Sequence, residues 1–307
     1  MTQQKTHRAG YVAIVGEPNV GKSTLLNALL NQKLSIVSAR PQTTRQRVLG
    51  ILSTDEAQVV FLDTPGLLQP KYLLHEKMVH SAHMALQDAD IVLLLTEASK
   101  GTELPPVVEQ AIAGIGGDKK LLLIINKADT VQRQVLLPSI EHFARSGKFA
   151  DIIPISALKG ENLPDLLKTI VQYLPEHPPF YPPDSVSEQP ERFFAAELIR
   201  EKIFELFREE VPYSTAVQII DFKERELGKT YINADIIVER DSQKGILIGK
   251  GGLALKRIGQ RARVDIEKMV GRPVFLDLHV KVREKWRENE TLLKRFGYSG
   301  DGEKQLS

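Results

Sequence analysis

The sequence predicts two domains, an α/β domain built on a mostly parallel sheet and then a smaller α+β domain. Three observations predict this. Apolar, strand-like runs alternate with helix-like stretches through the first half. The first of these runs leads into Gly16-Glu17-Pro18-Asn19-Val20-Gly21-Lys22-Ser23, which fits G-x-x-x-x-G-K-[ST]. Six of the 17 prolines fall between Leu174 and Pro190, and the order of elements changes after them.

Tyr11 to Val15 is apolar and mostly β-branched or aromatic, which reads as a buried strand. Thr24 follows the glycine loop, and Leu25 to Leu30 has helix-forming composition with an apolar face. Strand, glycine loop and helix N-terminus together suit a polyphosphate: backbone N–H groups converge on it and the helix dipole favours its charge. Lys22 supplies a point charge, and the Ser23 hydroxyl is placed for a magnesium ion. Strand candidates continue at Gln58–Leu62, Ile91–Thr96, Leu121–Asn126 and Ile152–Ser156. Helix candidates lie at Leu73–Leu86, Pro105–Ile115, Leu136–Arg145 and Leu163–Tyr173. Strands apolar on both faces with helices between them argue for a sheet covered on both sides, with ligands beyond its carboxyl ends.

Three motifs fall at those ends. Asp63-Thr64-Pro65-Gly66 follows Val59 to Leu62. Its carboxylate is placed to reach magnesium through water, and the Gly66 amide to sense a γ-phosphate. Asn126-Lys127-Ala128-Asp129 follows Leu121 to Ile125. An aspartate offers two acceptors in one plane, matching the N1–H and exocyclic amine of guanine, whereas adenine would leave it unpaired. This argues against an ATPase. Asn126 ties loops together and touches the purine edge, and the Lys127 stem covers the base. Ser156-Ala157-Leu158 closes on the base from the other side.

The proline-dense connector excludes helix and central strand and favours an extended, stiff spacer. Beyond it, Arg192–Glu210 reads as an amphipathic helix, with Ile199, Ile203, Leu206 and Phe207 as its core stripe. Strand patterns follow at Ala216–Phe222 and Tyr231–Arg240. Gly249-Lys250-Gly251-Gly252 comes after Ile246, Leu247 and Ile248, and a helix carries Leu255, Ile258, Ala262, Ile266 and Met269. Val274–Val282 is a third strand, and Arg283 to Phe296 reads as a charged helix. Charge is polarised: Lys244–Arg287 holds twelve Lys/Arg against four Asp/Glu, and Glu197–Asp241 holds seven against eleven.

The chain has 307 residues, no cysteine and a formal net charge of +2. Disulfides, thiolate metal sites and cysteine nucleophiles are thereby excluded. Its first ten residues show no signal-peptide core or myristoylation pattern, and no apolar run spans a bilayer. A cytoplasmic monomer is the expectation, with peripheral binding at the inner face of the cell membrane left open.

G16EPNVGKS23, D63TPG66, N126KAD129 and S156AL158 resemble, in order, the first, third, fourth and fifth guanine-nucleotide motifs of translation-factor-related GTPases. P41QTTR45, the short connector and the second half are similar to the Era family of ribosome-assembly GTPases. That resemblance implies a P-loop GTPase domain over 1–176, a linker over 177–190, a KH-type (α-β-β-α-α-β) domain over 191–298 and a flexible tail over 299–307. It implies Thr44 as the switch-loop contact to magnesium and γ-phosphate, with Thr43 as the alternative. Lys22, Thr44, Gly66 and Asn19 are then the residues acting on hydrolysis, with Ser23, Thr44 and Asp63 at the metal. In related GTPases the Asn19 position helps bind potassium; fixing the loop is an equal alternative. Leu67 stands where Ras-like proteins place a water-orienting glutamine, so slow intrinsic turnover is expected. Ile248, Gly249, Lys250, Gly251, Gly252, Lys256, Arg257 and Arg261 become RNA contacts, with Arg263 beside them. The RNA implied is the single-stranded 3′ region of small-subunit rRNA, in assembly of that subunit. The alternative is a non-catalytic RNA-binding module that uses GTP only for stability.

Overall fold

The computed structural model describes residues 7–38, 40–224 and 228–298. The tail expected at 299–307 lies outside them. The chain divides into two compact units. The first holds the chain up to Ser35, Thr44–Pro70 and Met78–Glu188; the second holds Ile36–Thr43, Lys71–Lys77 and everything from Gln189.

In the first unit the order is β1 (Arg8–Gly16), α1 (Lys22–Leu30), β2 (Val48–Ser53), β3 (Ala57–Asp63), α2 (Leu73–Asp88), β4 (Ile91–Glu97), α3 (Pro106–Ala113), β5 (Lys120–Asn126), α4 (Arg133–Arg145), β6 (Asp151–Pro154) and α5 (Leu163–Tyr173). The sheet runs β2-β3-β1-β4-β5-β6, parallel except where β2 meets β3. Central strands bury both faces: Val12 to Val15 and Ile91 to Leu94 are inaccessible to solvent. The carboxyl ends of β1, β3, β5 and β6 carry the phosphate loop and the three motif loops, all at one end of the parallel strands.

Strand β2 is the element that sequence reading omits, because Gly50 interrupts its apolar run. The glycine is there for packing, since a Cβ would stand 2.5 Å from Leu30 Cδ1. The connector is extended, as its prolines predict, but it is not a free spacer. Ile51 N donates to Val186 O at 2.8 Å, so the connector covers the outer edge of β2. Gln58 fastens it again, donating to Tyr181 O at 2.8 Å and accepting from Phe180 N at 2.7 Å.

The second unit contains α6 (Glu191–Leu206), β7 (Ala216–Lys223), β8 (Thr230–Val238), α7 (Asp241–Ile248), α8 (Leu253–Val270), β9 (Val274–Val282) and α9 (Glu290–Arg295). Through β9 this is the expected α-β-β-α-α-β order. The sheet is β7-β8-β9, with β8 antiparallel to β7 and parallel to β9. Ile199, Ile203, Ile232, Ala234, Ile236, Ile258, Ala262 and Ile266 form its core.

Two expectations are corrected. Helix α6 stops at Leu206, and Phe207 is already extended. Nor is it one-sided, since Arg200, Glu201 and Lys202 are also buried. Arg283 to Phe296 is not one helix: Lys285 takes a left-handed φ of 49°, a single 3-10 turn spans Trp286–Glu288, and α9 is short. The break lets Trp286 enter the interior, where its Nε1 donates to Ser214 O at 2.8 Å.

Candidate functional site: a phosphate loop and a glycine-loop groove

The loop between β1 and α1 is built on positive φ angles: 147° at Gly16, 67° at Asn19 and 98° at Gly21. Neighbours enforce glycine at two of these three positions. A Cβ on Gly16 would lie 2.4 Å from Leu95 O, and one on Gly21 2.2 Å from Asn126 Nδ2. Lys22 is buried and donates to Glu17 O at 2.8 Å and Gly16 O at 3.2 Å. Burial pushes its ammonium down to about 8, although Asp63 and Glu17 pull the other way. Glu17 pairs with Lys100. Pro18 sits against Gly66, where a Cβ would meet Pro18 N at 2.7 Å, so only glycine brings that amide so close to the loop.

Ser23, Thr44 and Asp63 meet as one cluster. Ser23 Oγ lies 2.8 Å from Thr44 Oγ1 and donates to Asp63 Oδ2 at 2.8 Å. The Thr43 hydroxyl instead donates to Arg40 O at 3.1 Å. Asp63 Oδ1 is buried without a hydrogen-bond partner. Burial raises its carboxyl above the usual range, against the pull of Lys22. A bare buried carboxylate oxygen beside two hydroxyls fits a hard divalent cation that completes its shell with water and phosphate. Among the described residues no group of three or more His, Cys, Asp or Glu could hold a metal. Thr64 Oγ1 donates to Ile14 O at 2.8 Å and Leu67 N to Gly16 O at 3.0 Å, which anchors the segment around Pro65. Leu67 itself is buried.

Asn126 links the loops. Its Nδ2 donates to Val20 O at 2.7 Å, and its Oδ1 accepts from Ala157 N at 3.0 Å. Lys127, at φ 60°, pairs with Glu97 at 2.8 Å. A hydrogen bond from Ser156 holds the Asp129 carboxyl below its usual range, and Lys159 stands 3.3 Å away. Leu158 is exposed. Sequence reading missed Lys159, Glu97 and Lys100, because isolated charges beside a motif carry no pattern.

In the second unit Gly249, Gly251 and Gly252 have φ of 69°, 60° and 78°. A Cβ on Gly249 would lie 2.7 Å from Ala254 Cβ, so α7 and α8 meet there closely. Beside this loop Ile248, Leu255, Leu278 and Val280 line an apolar groove edged by Lys244, His279 and Lys281. It continues past Gly252, Lys256, Gly259, Arg263 and Phe275. Lys250 is exposed on the loop. Arg257 and Arg261 are exposed on α8 but line neither hollow, and Arg261 lies 3.8 Å from Glu205.

Residues 11–127 match the 50S ribosome-binding GTPase family and residues 210–287 the KH domain family. GTPase Era of Geobacter metallireducens is 47% identical over 295 residues, covering 95% of this chain and 98% of its own. The chain belongs to the Era family of GTPases. Among solved structures, Era in complex with MgGDPNP and nucleotides 1506–1542 of 16S ribosomal RNA superposes with a TM-score of 0.91. It is 44% identical and is matched over 95% of this chain and 99% of its own. A variant of Aquifex aeolicus Era bound to GDP and AlF4− matches equally well, with the same four values. As an Era GTPase the chain is a GTP hydrolase with a C-terminal KH domain, which sets aside the reading as a non-catalytic module.

Proposed function

We propose that this Era-family chain binds GTP with magnesium, binds the single-stranded 3′ region of 16S-type rRNA, and acts in small-subunit assembly. The likeness to Era holding that RNA, at 44% identity over 95% of the chain, carries the reading. The broader family description mentions the large subunit, but it concerns residues 11–127 and not the RNA-binding half. In this reading Gly16 to Thr24 cradle the phosphates, and Asp63 to Gly66 report the γ-phosphate. Asn126, Lys127, Asp129 and Ser156 to Leu158 hold guanine. Ser23, Thr44 and Asp63 would hold magnesium, which supplies charge neutralisation at the phosphates. Ile248 to Gly252 and Lys256 receive RNA, with Arg257 and Arg261 contributing charge along α8. The protein works as a cytoplasmic monomer, and any contact with the cell membrane is peripheral. Among the described residues no helix is long and apolar enough to cross a membrane.

Leu67 is buried and offers water no side-chain hydrogen bond, so the attacking water is held by backbone groups or a partner, and intrinsic turnover is slow. Asn19 stands in the phosphate loop, where a potassium ion would act electrostatically as an arginine finger does. Single-turnover phosphate release tests this. Turnover is expected to be about tenfold faster in potassium than in sodium, and Asn19→Ala should erase the difference. Equal rates in both salts for the parent protein would remove potassium from the proposal.

A further inference from the structure

Arg200 lies in the middle of α6 with 1% of its surface exposed. Its Nε donates to Glu197 Oε1 at 2.8 Å and its Nη2 to Glu197 Oε2 at 2.5 Å. The same Nη2 donates to the backbone carbonyl of Thr43. Nη1 has no hydrogen-bond partner. Two more bonds hold the loop that precedes Thr43: Val37 N donates to Glu201 Oε1 at 3.2 Å, and Arg40 Nη1 to Phe207 O.

Core packing does not call for an arginine here. A buried ionic group is often replaced by apolar residues of similar volume at no loss of stability, and an unsatisfied buried donor is costly. What a guanidinium provides is a rigid planar fork. Nε and one N–H of Nη2 are fixed on Glu197, which leaves the second N–H of Nη2 aimed at a main-chain oxygen.

That oxygen belongs to the peptide joining Thr43 to Thr44. The peptide group is planar, so holding the Thr43 carbonyl also sets the plane of the Thr44 amide and the direction in which Thr44 leaves it. The Thr44 hydroxyl is the one found 2.8 Å from Ser23. We propose that Arg200, from the first helix of the RNA-binding half, is a positioning residue for GTP hydrolysis: by gripping the Thr43 carbonyl it aims Thr44 at the cation and γ-phosphate. The proposal rests on Thr44 as the triphosphate contact. It makes hydrolysis depend on a residue far from every nucleotide motif in sequence.

The test measures affinity of the full chain for fluorescent GDP and for a fluorescent non-hydrolysable GTP analogue, together with single-turnover hydrolysis. Arg200→Met keeps the volume and removes the fork; Arg200→Lys returns the charge without the planar geometry. Arg200→Met is expected to weaken the analogue about tenfold while GDP affinity stays within about twofold, and to slow hydrolysis by a similar factor. Arg200→Lys should recover part of both. A residue that only supports the fold would lower both affinities together or neither. If Arg200→Met does not fold, Glu197→Gln, at a half-buried position, should shift the same ratio in the same direction by a smaller factor. Thr44→Ala runs in parallel. Loss of triphosphate preference in Thr44→Ala, with the ratio unchanged in the Arg200 and Glu197 variants, overturns the positioning role alone. An unchanged ratio in Thr44→Ala overturns the reading of the site on which it rests.

Discussion

Asp129→Asn should lower GTP affinity by about a thousandfold and turn the preference of the pocket toward xanthosine triphosphate. Guanine presents two donors on one edge, N1–H and the exocyclic amine, and a carboxylate meets both. An asparagine keeps one acceptor and turns a donor toward the other position, so one pair of facing groups becomes donor against donor. Xanthine carries a carbonyl where guanine carries the amine, and restores the match. The effect is expected to be large because the side chain is held in place. Ser156 and Lys159 fix the carboxylate, and Asn126 binds the neighbouring backbone to the phosphate loop through Val20 and Ala157. The mismatch therefore falls on a side chain already held by its neighbours, and a donor left facing a donor is costly. Competition of GTP and xanthosine triphosphate against a labelled nucleotide reads both changes. Unaltered GTP affinity would remove the base-recognition role of Asp129.

The second large effect concerns the glycine loop of the KH domain. Replacing Lys250 and Gly251 together by aspartate is expected to lower RNA affinity about a hundredfold while the melting temperature and GTP hydrolysis stay near the parent values. A KH loop clamps the backbone of about four nucleotides while their bases occupy the adjoining groove. Two carboxylates at the loop would face the phosphates they displace. The fold should tolerate the change, because Lys250 is exposed and a side chain at Gly251 meets nothing within 4 Å. Aspartate is also among the residues that accept a φ near the 60° of Gly251. Filter binding of a 3′-terminal small-subunit rRNA oligonucleotide measures the loss. Retained affinity would place the RNA elsewhere on the domain.

The parts of this molecule that could be read from sequence are those with a local signature. The phosphate loop, the guanine motif and the order of elements through β9 are set by residue types at fixed spacing, so no tertiary information was needed. Strand β2 was hidden because Gly50, placed to admit Leu30, looks like a break in the pattern. The helix expected from Arg283 to Phe296 fails because burying Trp286 outweighs the helical composition around it. Sequence leaves Thr43 and Thr44 as alternatives; only the fold shows that the Thr44 hydroxyl lies beside Ser23 while that of Thr43 turns to Arg40 O. Arg200 gave no signal at all: a charged residue inside a helical stretch is ordinarily solvated, and only the fold places it beneath the Thr43 carbonyl.

Nucleotide state and RNA affinity are linked reciprocally if the state of the Thr44 loop is felt by the KH domain. The direct measurement is the affinity of the 3′-terminal rRNA oligonucleotide for the full chain in three states: without nucleotide, with GDP, and with magnesium and a non-hydrolysable GTP analogue. The prediction is at least about a fivefold tighter complex with the analogue than with GDP, and a matching gain in analogue affinity when RNA is present. Identical RNA affinity in all three states would contradict nucleotide control of RNA binding.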